Sequence, residues 1–253
     1  MAAIPTPRAA IRRVVWGVAL LVTLLSCTDS GELPGPSGVP GEREVRTGAH
    51  WSTTPPGQPL PSDAQCAARV ERDPWEPRSE NSTANRTVPD GPVVSRGWGS
   101  PEADALKSRV TGAFTGTTDE LIQWASCKWG FDPDLTRAQA VQESGWVQSA
   151  RGDGGVSFGL LQIKSVVWTG TAPWSLSSTA YNLDWSLGMR RACYEGYLYT
   201  EEGSRGDLWG CIGVHFSGRW KNESALRYSD SVKRHLHSRS WRDWPSPAGG
   251  VPP

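Results

Sequence analysis

Two helix-start signals stand back to back in the middle of the chain and restrict it to a helical architecture. In "TTDELIQWASCKWG", Thr117 is followed three residues later by Glu120, the pattern of a capping box, with Leu121, Trp124 and Ala125 at helical spacing and Gly130 as the stop. In "DPDLTRAQAVQES", Asp132 is placed as an N-cap and Pro133 at the first helical position, where its missing N–H costs nothing. Leu135, Ala138 and Val141 then form an apolar stripe. Helical patterns also start near Pro101 and cover Asn182 to Tyr199, Leu208 to about Phe216 and about Glu223 to His235. No long alternating run suggests a sheet of any size. The expectation is therefore a mostly α domain over residues 101–243.

The chain has 253 residues, room for one domain with appendages. Lys+Arg and Asp+Glu are both 26, and no basic stripe stands out, so nucleic acid is excluded as a partner. At the start, Arg8, Arg12 and Arg13 precede the uncharged run "VVWGVALLVTLL", Val14 to Leu25. That run falls short of the roughly 20 apolar residues of a spanning helix and has the layout of a secretory signal peptide, residues 1–26. The residues "LLSC" that follow resemble a bacterial lipobox, which implies lipidation of Cys27, membrane attachment through that lipid and an exported location at the cell envelope.

Cys66, Cys127, Cys193 and Cys211 remain, an even number in a chain read as exported and without a C-x-x-C spacing. Disulfides are favoured over metal, and no metal site is expected. Of the three possible pairings, Cys193 with Cys211 is favoured because the two flank the turn signals "EEGSRG" and can face each other across a helical hairpin. Cys66 with Cys127 would then tie the N-terminal extension to the domain. Residues 27–61, rich in Pro, Gly, Ser and Thr, read as a flexible tether, since such composition offers little surface to bury. Residues 62–100 read as an irregular extension pinned through Cys66, and 244–253 as a disordered tail.

One stretch carries chemistry: "AVQESGWVQSARGDGGVSFGLLQI", residues 140–163. Glu143 falls near the end of the helix that Pro133 opens, where unsatisfied carbonyls disfavour an anion, and Trp146 three residues on would add an apolar neighbour. Both favour the protonated carboxyl that a general acid requires. Taken by position alone, a solvated Glu at a helix end is the commoner outcome.

The whole stretch changes that balance. "ESGW", then "SA", glycines and "SFGLLQI" resemble the signature of the lysozyme-like lytic transglycosylases. "STAYNLDWSLGMRRACYEGYL" looks like that family's next element, and "WGCIGVHFSG" stands where the family has an Ala-Tyr-Asn-x-Gly segment. The resemblance spans about 100 residues and implies a lysozyme-like helical domain acting as a monomer on peptidoglycan glycan strands, with no cofactor. It implies that Glu143 protonates the glycosidic oxygen, that Ser144 supports it, that Gly159 lets the backbone approach a sugar, and that Gln162 bonds an acetamido group. A buried amide capping backbone groups is the alternative for Gln162. Trp146 and Asn182 join the implied sugar-binding set. The family's Asn is replaced by Ser217, preceded by His215 and Phe216, and the loop "RGDGGVSF" is longer than the family pattern.

Most glycosidases use two carboxylates, about 5 Å apart for a nucleophile and about 6.5–9.5 Å apart when one activates water. A single acid fits a lytic transglycosylase, in which the acetamido group of N-acetylmuramic acid stabilises C1 and the sugar's own 6-hydroxyl closes a 1,6-anhydro ring. Asp153 is the candidate second acid: over the cleft it would hold a water and make the protein a hydrolytic muramidase. Shaping a Gly-rich turn is its more ordinary role. A third possibility is a peptidoglycan-binding module that has lost turnover, for which the Ser217 departure argues. The 14 Trp against 4 Phe offer indoles for sugar stacking, though most belong to a core, and the "HLH" histidines, His235 to His237, read as solvated.

Overall fold

A computed structural model describes residues 50–91 and 95–246. The signal-peptide run, Cys27, the tether up to residue 49 and the tail from 247 lie outside the described residues. The protein is mostly helical, and among the described residues no helix is long and apolar enough to cross a membrane.

The elements in order are α1 Asp63–Ala67, α2 Pro101–Lys107, α3 Thr118–Trp129, α4 Pro133–Ser144, α5 Trp174–Ser177, α6 Thr179–Tyr194, α7 Leu208–Ser217 and α8 Glu223–Ser238, with short 3-10 turns between and after them. The caps follow the sequence chemistry. Thr117 and Glu120 form the reciprocal capping box of α3, and Gly130 ends it in the left-handed region at φ 68°. Asp132 caps α4, accepting from the Asp134 N–H at 2.8 Å, with Pro133 inside the first turn and Gly145 at φ 60° as the stop. Helix α6 starts three residues before the expected Asn182, because Ser178 accepts from the Tyr181 N–H at 3.2 Å. It ends at Tyr194, earlier than the expected Tyr199.

Helix α3 runs through the centre, every residue of it buried, and packs on α4 and α6; α8 packs on α4 and α7. Between α4 and α5 lie three two-residue antiparallel strands, β1 Arg151–Gly152, β2 Ser157–Phe158 and β3 Ile163–Lys164, with Arg151 opposite Phe158 and Ser157 opposite Lys164. Central helices bury charges as well as apolar groups. Lys128, fully buried, is 2.8 Å from both Asp184 and Asp63. Asp184 also accepts from the Thr111 and Gly112 N–H groups and from Trp129 Nε1 at 2.7 Å. The buried Arg137 joins Asp119 at 2.6 Å and Asp134 at 2.9 Å. Satisfied on several sides, these ions are held where unpaired charges would cost several kcal/mol each, on the order of the desolvation penalty.

The two disulfides are Cys66–Cys127 and Cys193–Cys211. The second joins α6 to α7 across a helical hairpin; the first ties α1 to α3.

The expected boundaries need correcting at both ends. Residues 50–61 are not a free tether: Trp51 Nε1 donates to the Phe131 carbonyl at 2.8 Å, Thr54 N to Gly130 at 2.9 Å, and the Arg191 guanidinium to the carbonyls of Thr54 and Pro55 at 2.8 and 2.9 Å. Proline-rich backbone keeps its carbonyls free of any ladder, so polar pairing holds a segment that apolar content alone would leave loose. Trp75 and Trp98 from the extension are buried, and Asn81 donates to the carbonyl of Trp146 at 2.7 Å. Trp244, expected in the tail, packs edge-on to Trp146 at 5.4 Å, and its carbonyl accepts from Trp75 Nε1 at 3.0 Å.

Candidate active site

Glu143 sits in the last turn of α4, its side chain only 10% exposed. Two residues from distant parts of the chain reach its Oε1. Tyr228 of α8 donates its phenolic hydrogen to that oxygen, and His215 Nε2 of α7 lies 3.4 Å from it. The Tyr228 hydroxyl in turn accepts from Gln139 Nε2 at 3.0 Å, one turn earlier on α4. Burial, reinforced by the negative charge of Glu143, pushes the Tyr228 phenol well above its ordinary range, so it remains a neutral donor. Arg190 of α6 is buried with no hydrogen-bond partner on its guanidinium among the described residues, and lies over the Phe131 ring at 5.3 Å. Burial pushes it down to about 10, against the pull of Tyr228 and Glu143, so it stays cationic at neutral pH. A carboxyl group is thus bordered by a phenol and an imidazole, with a buried guanidinium within electrostatic reach.

The helix end differs from the bare carbonyl cluster expected there. Arg78 Nε donates to the Gly145 carbonyl at 2.7 Å, and Asn81 covers that of Trp146. The extension therefore places the Arg78 cation and an amide donor on the two carbonyls that follow α4, at the helix's negative end.

Ser144 donates to the Leu160 carbonyl at 3.0 Å and so ties the Glu143 turn to the segment following β2. That segment is fixed by two buried amides. Asn182 donates to the carbonyls of Phe158 and Ser175 at 2.8 and 2.7 Å and accepts from Leu161 N at 2.8 Å. Gln148 accepts from Leu160 N at 3.1 Å and donates to Leu176 at 2.9 Å. Asn182 is fully buried with its hydrogen bonds committed, so it positions the loop and does not bind sugar. Gly159 at φ 82° is also buried, and an added Cβ would come within 2.5 Å of the Ser175 carbonyl and clash with the Asn182 amide. Its close approach is to protein, not to a ligand. Gln162 donates to the Gly159 carbonyl at 2.8 Å, which places its amide nitrogen in the backbone-capping role.

Trp146 requires the firmest correction. It is fully buried, with Nε1 donating to the Arg137 carbonyl at 3.0 Å and its ring edge-on to Trp75 at 5.7 Å. The chain turns left-handed there, at φ 68°, and the indole lies in the core. Ser217 bonds within its own turn, accepting from Arg219 N at 3.1 Å and donating to the Arg219 carbonyl at 2.9 Å. The α7 residue that reaches Glu143 is His215 instead. Asp153 stands in the turn between β1 and β2, accepting from the Ser157 hydroxyl at 2.8 Å and pairing with Lys164 at 3.0 Å. The Ser157 hydrogen bond, then Lys164, hold its carboxyl below the usual range; it shapes the turn and is not drawn to Glu143.

Sequence reasoning missed Tyr228, Gln148, Gln139 and Arg190. Nothing in "ALRYSDSV" distinguishes Tyr228 from any helical tyrosine facing a core. In comparisons with known proteins, no family model and no curated protein matches the chain.

Proposed function

We propose that the protein is a peptidoglycan lytic transglycosylase with a lysozyme-like domain, cleaving the β-1,4 bond between N-acetylmuramic acid and N-acetylglucosamine. The observation that carries this reading is Glu143: a nearly buried carboxyl in the last turn of α4, bonded by Tyr228 and approached by His215, sharing no partner with another carboxylate among the described residues. A lone acid of this kind gives its proton to the leaving oxygen while the substrate's acetamido group supports C1. It then takes the proton of the 6-hydroxyl as that oxygen closes on C1, leaving a 1,6-anhydro end. Asp153 is engaged by Ser157 and Lys164 within its own turn, which weighs against its activating a water as in a muramidase. The committed polar bordering of Glu143 weighs against a module that only binds. Export and anchoring through Cys27 fit a substrate that lies outside the membrane.

The test is lysis of purified cell walls, followed by mass spectrometry of the released muropeptides. Anhydro ends, one water lighter than reducing ends, and loss of lysis in Glu143→Gln are expected. Reducing ends would make the protein a hydrolase, and lysis that survives the substitution would remove Glu143 from the chemistry.

A further inference from the structure

Both donors at Glu143 meet the same oxygen. His215 Nε2 lies 3.4 Å from Oε1 and 3.1 Å from the carbonyl of Leu161. The carbonyl can only accept, and Oε1 already accepts from the Tyr228 hydroxyl. With an acceptor on each side, Nε2 must carry the hydrogen, and the ring is held in the Nε2–H tautomer. The contact to Leu161 is an ordinary hydrogen bond; the 3.4 Å approach to Oε1 is not one, and brings the positive end of the N–H dipole beside that oxygen. An oxygen facing two donors is a poor seat for a carboxyl proton. Oε2, for which the described residues supply no hydrogen-bond partner, is the better one.

We propose that His215 is a positioning residue for the general acid: its Nε2–H, bonded to the Leu161 carbonyl and held 3.4 Å from Oε1, acts with Tyr228 to reserve Oε2 as the oxygen that gives and takes the proton. This rests on Glu143 being the acid of the proposed reaction. In the first step the Oε2–H bond breaks as an O–H bond forms on the glycosidic oxygen, which also takes the electron pair of its bond to C1. The charge left on the carboxylate is met at Oε1 by Tyr228 from α8 and His215 from α7, with the buried Arg190 of α6 supplying the nearby positive charge. In the second step the 6-oxygen bonds to C1 and its proton returns to Oε2. Leu161 belongs to the segment tied to Ser144, so the imidazole also couples the acid to the loop beside it.

Turnover of a soluble peptidoglycan oligomer is compared for wild type, His215→Leu and His215→Gln, the last placing an amide N–H near the Nε2 position. Expected is a loss in kcat of about 10- to 100-fold for His215→Leu with KM within about threefold, less than the roughly 100- to 1,000-fold of a direct transition-state donor. His215→Gln should recover most of that loss. Equal loss in both variants, or loss in neither, overturns the proposal. Imidazole ¹⁵N NMR, with the His215 signals identified by their disappearance in His215→Gln, gives a readout independent of turnover. The Nε2–H tautomer, and a shift of its signals in Glu143→Gln, are expected; an Nδ1–H tautomer overturns the proposal even if the walls are lysed. Intact positioning without any lysis would instead sink the enzymatic reading alone.

Discussion

Tyr228 donates its phenolic hydrogen to Oε1 of Glu143 across 85 residues of sequence, joining α8 to the last turn of α4. The same hydroxyl accepts from Gln139, so one atom on α8 spans two turns of α4 and sets the carboxyl against the helix packing. Tyr228 is itself braced by Phe216, whose ring lies parallel to it at 5.0 Å.

Removing that hydroxyl should cost activity and stability together. Tyr228→Phe keeps the ring stack but leaves Gln139 Nε2 and Glu143 Oε1 without their partner, a loss of about 1–3 kcal/mol. Lysis should fall by up to about 100-fold. Denaturant melts and wall turbidity check the two effects; unchanged lysis would show that the acid needs no support from α8.

The same residue gives a pH dependence with a definite sign. Its folded phenol is raised above the ordinary 10.0, by burial first and Glu143 second. The stability linked to it is therefore complete below pH 10.0 and is lost as pH rises beyond that value. In wild type, alkaline unfolding followed by circular dichroism should set in at lower pH than in Tyr228→Phe, once each is compared with its own stability at neutral pH. Identical alkaline slopes would contradict the assignment.

Lys128 is the cation of a fully buried pair, so Lys128→Met leaves Asp184 charged among Thr111, Gly112 and Trp129. A loss of about 3–5 kcal/mol is expected. Adding Asp184→Asn should cost less than the sum of the two single changes. Additive melting shifts would mean that the pair does not act as a unit.

Trp146→Ala should act through the core and not through sugar binding. Truncating a fully buried indole costs about 3–5 kcal/mol. Affinity for a peptidoglycan oligomer, measured below the lowered melting temperature, should match wild type. A weakened oligomer with unchanged stability would return Trp146 to the binding surface.

The disulfides should differ in weight. The chain-entropy account gives about 3 kcal/mol for the bridge of separation 18, Cys193–Cys211, and about 4 kcal/mol for that of separation 61, Cys66–Cys127. Paired Cys→Ala variants compared in urea measure the order. A larger loss at Cys193–Cys211 would point to strain or residual structure dominating the loop term.

What the amino-acid order determined by itself is local. Thr117 with Glu120 and Gly130 specify both ends of α3, and Asp132 with Pro133 the start of α4, because a cap is satisfied within a few residues of its own helix. The pairing of Cys193 with Cys211 was legible for the same reason, since the turn between them brings two adjacent helices together. Position 143 could be singled out from the residues around it, but not the groups that surround its carboxyl. Tyr228, His215 and Arg190 reach that neighbourhood from three other helices, and Arg78 and Asn81 come from an extension that reads in sequence as irregular and pinned through Cys66. Trp146 turned inward and Asn182 spent its amide on backbone because packing, not spacing, decides which polar atoms and rings are left for solvent. Those choices depend on where helices cross, and crossing is a property of the closed core and not of any one stretch of chain.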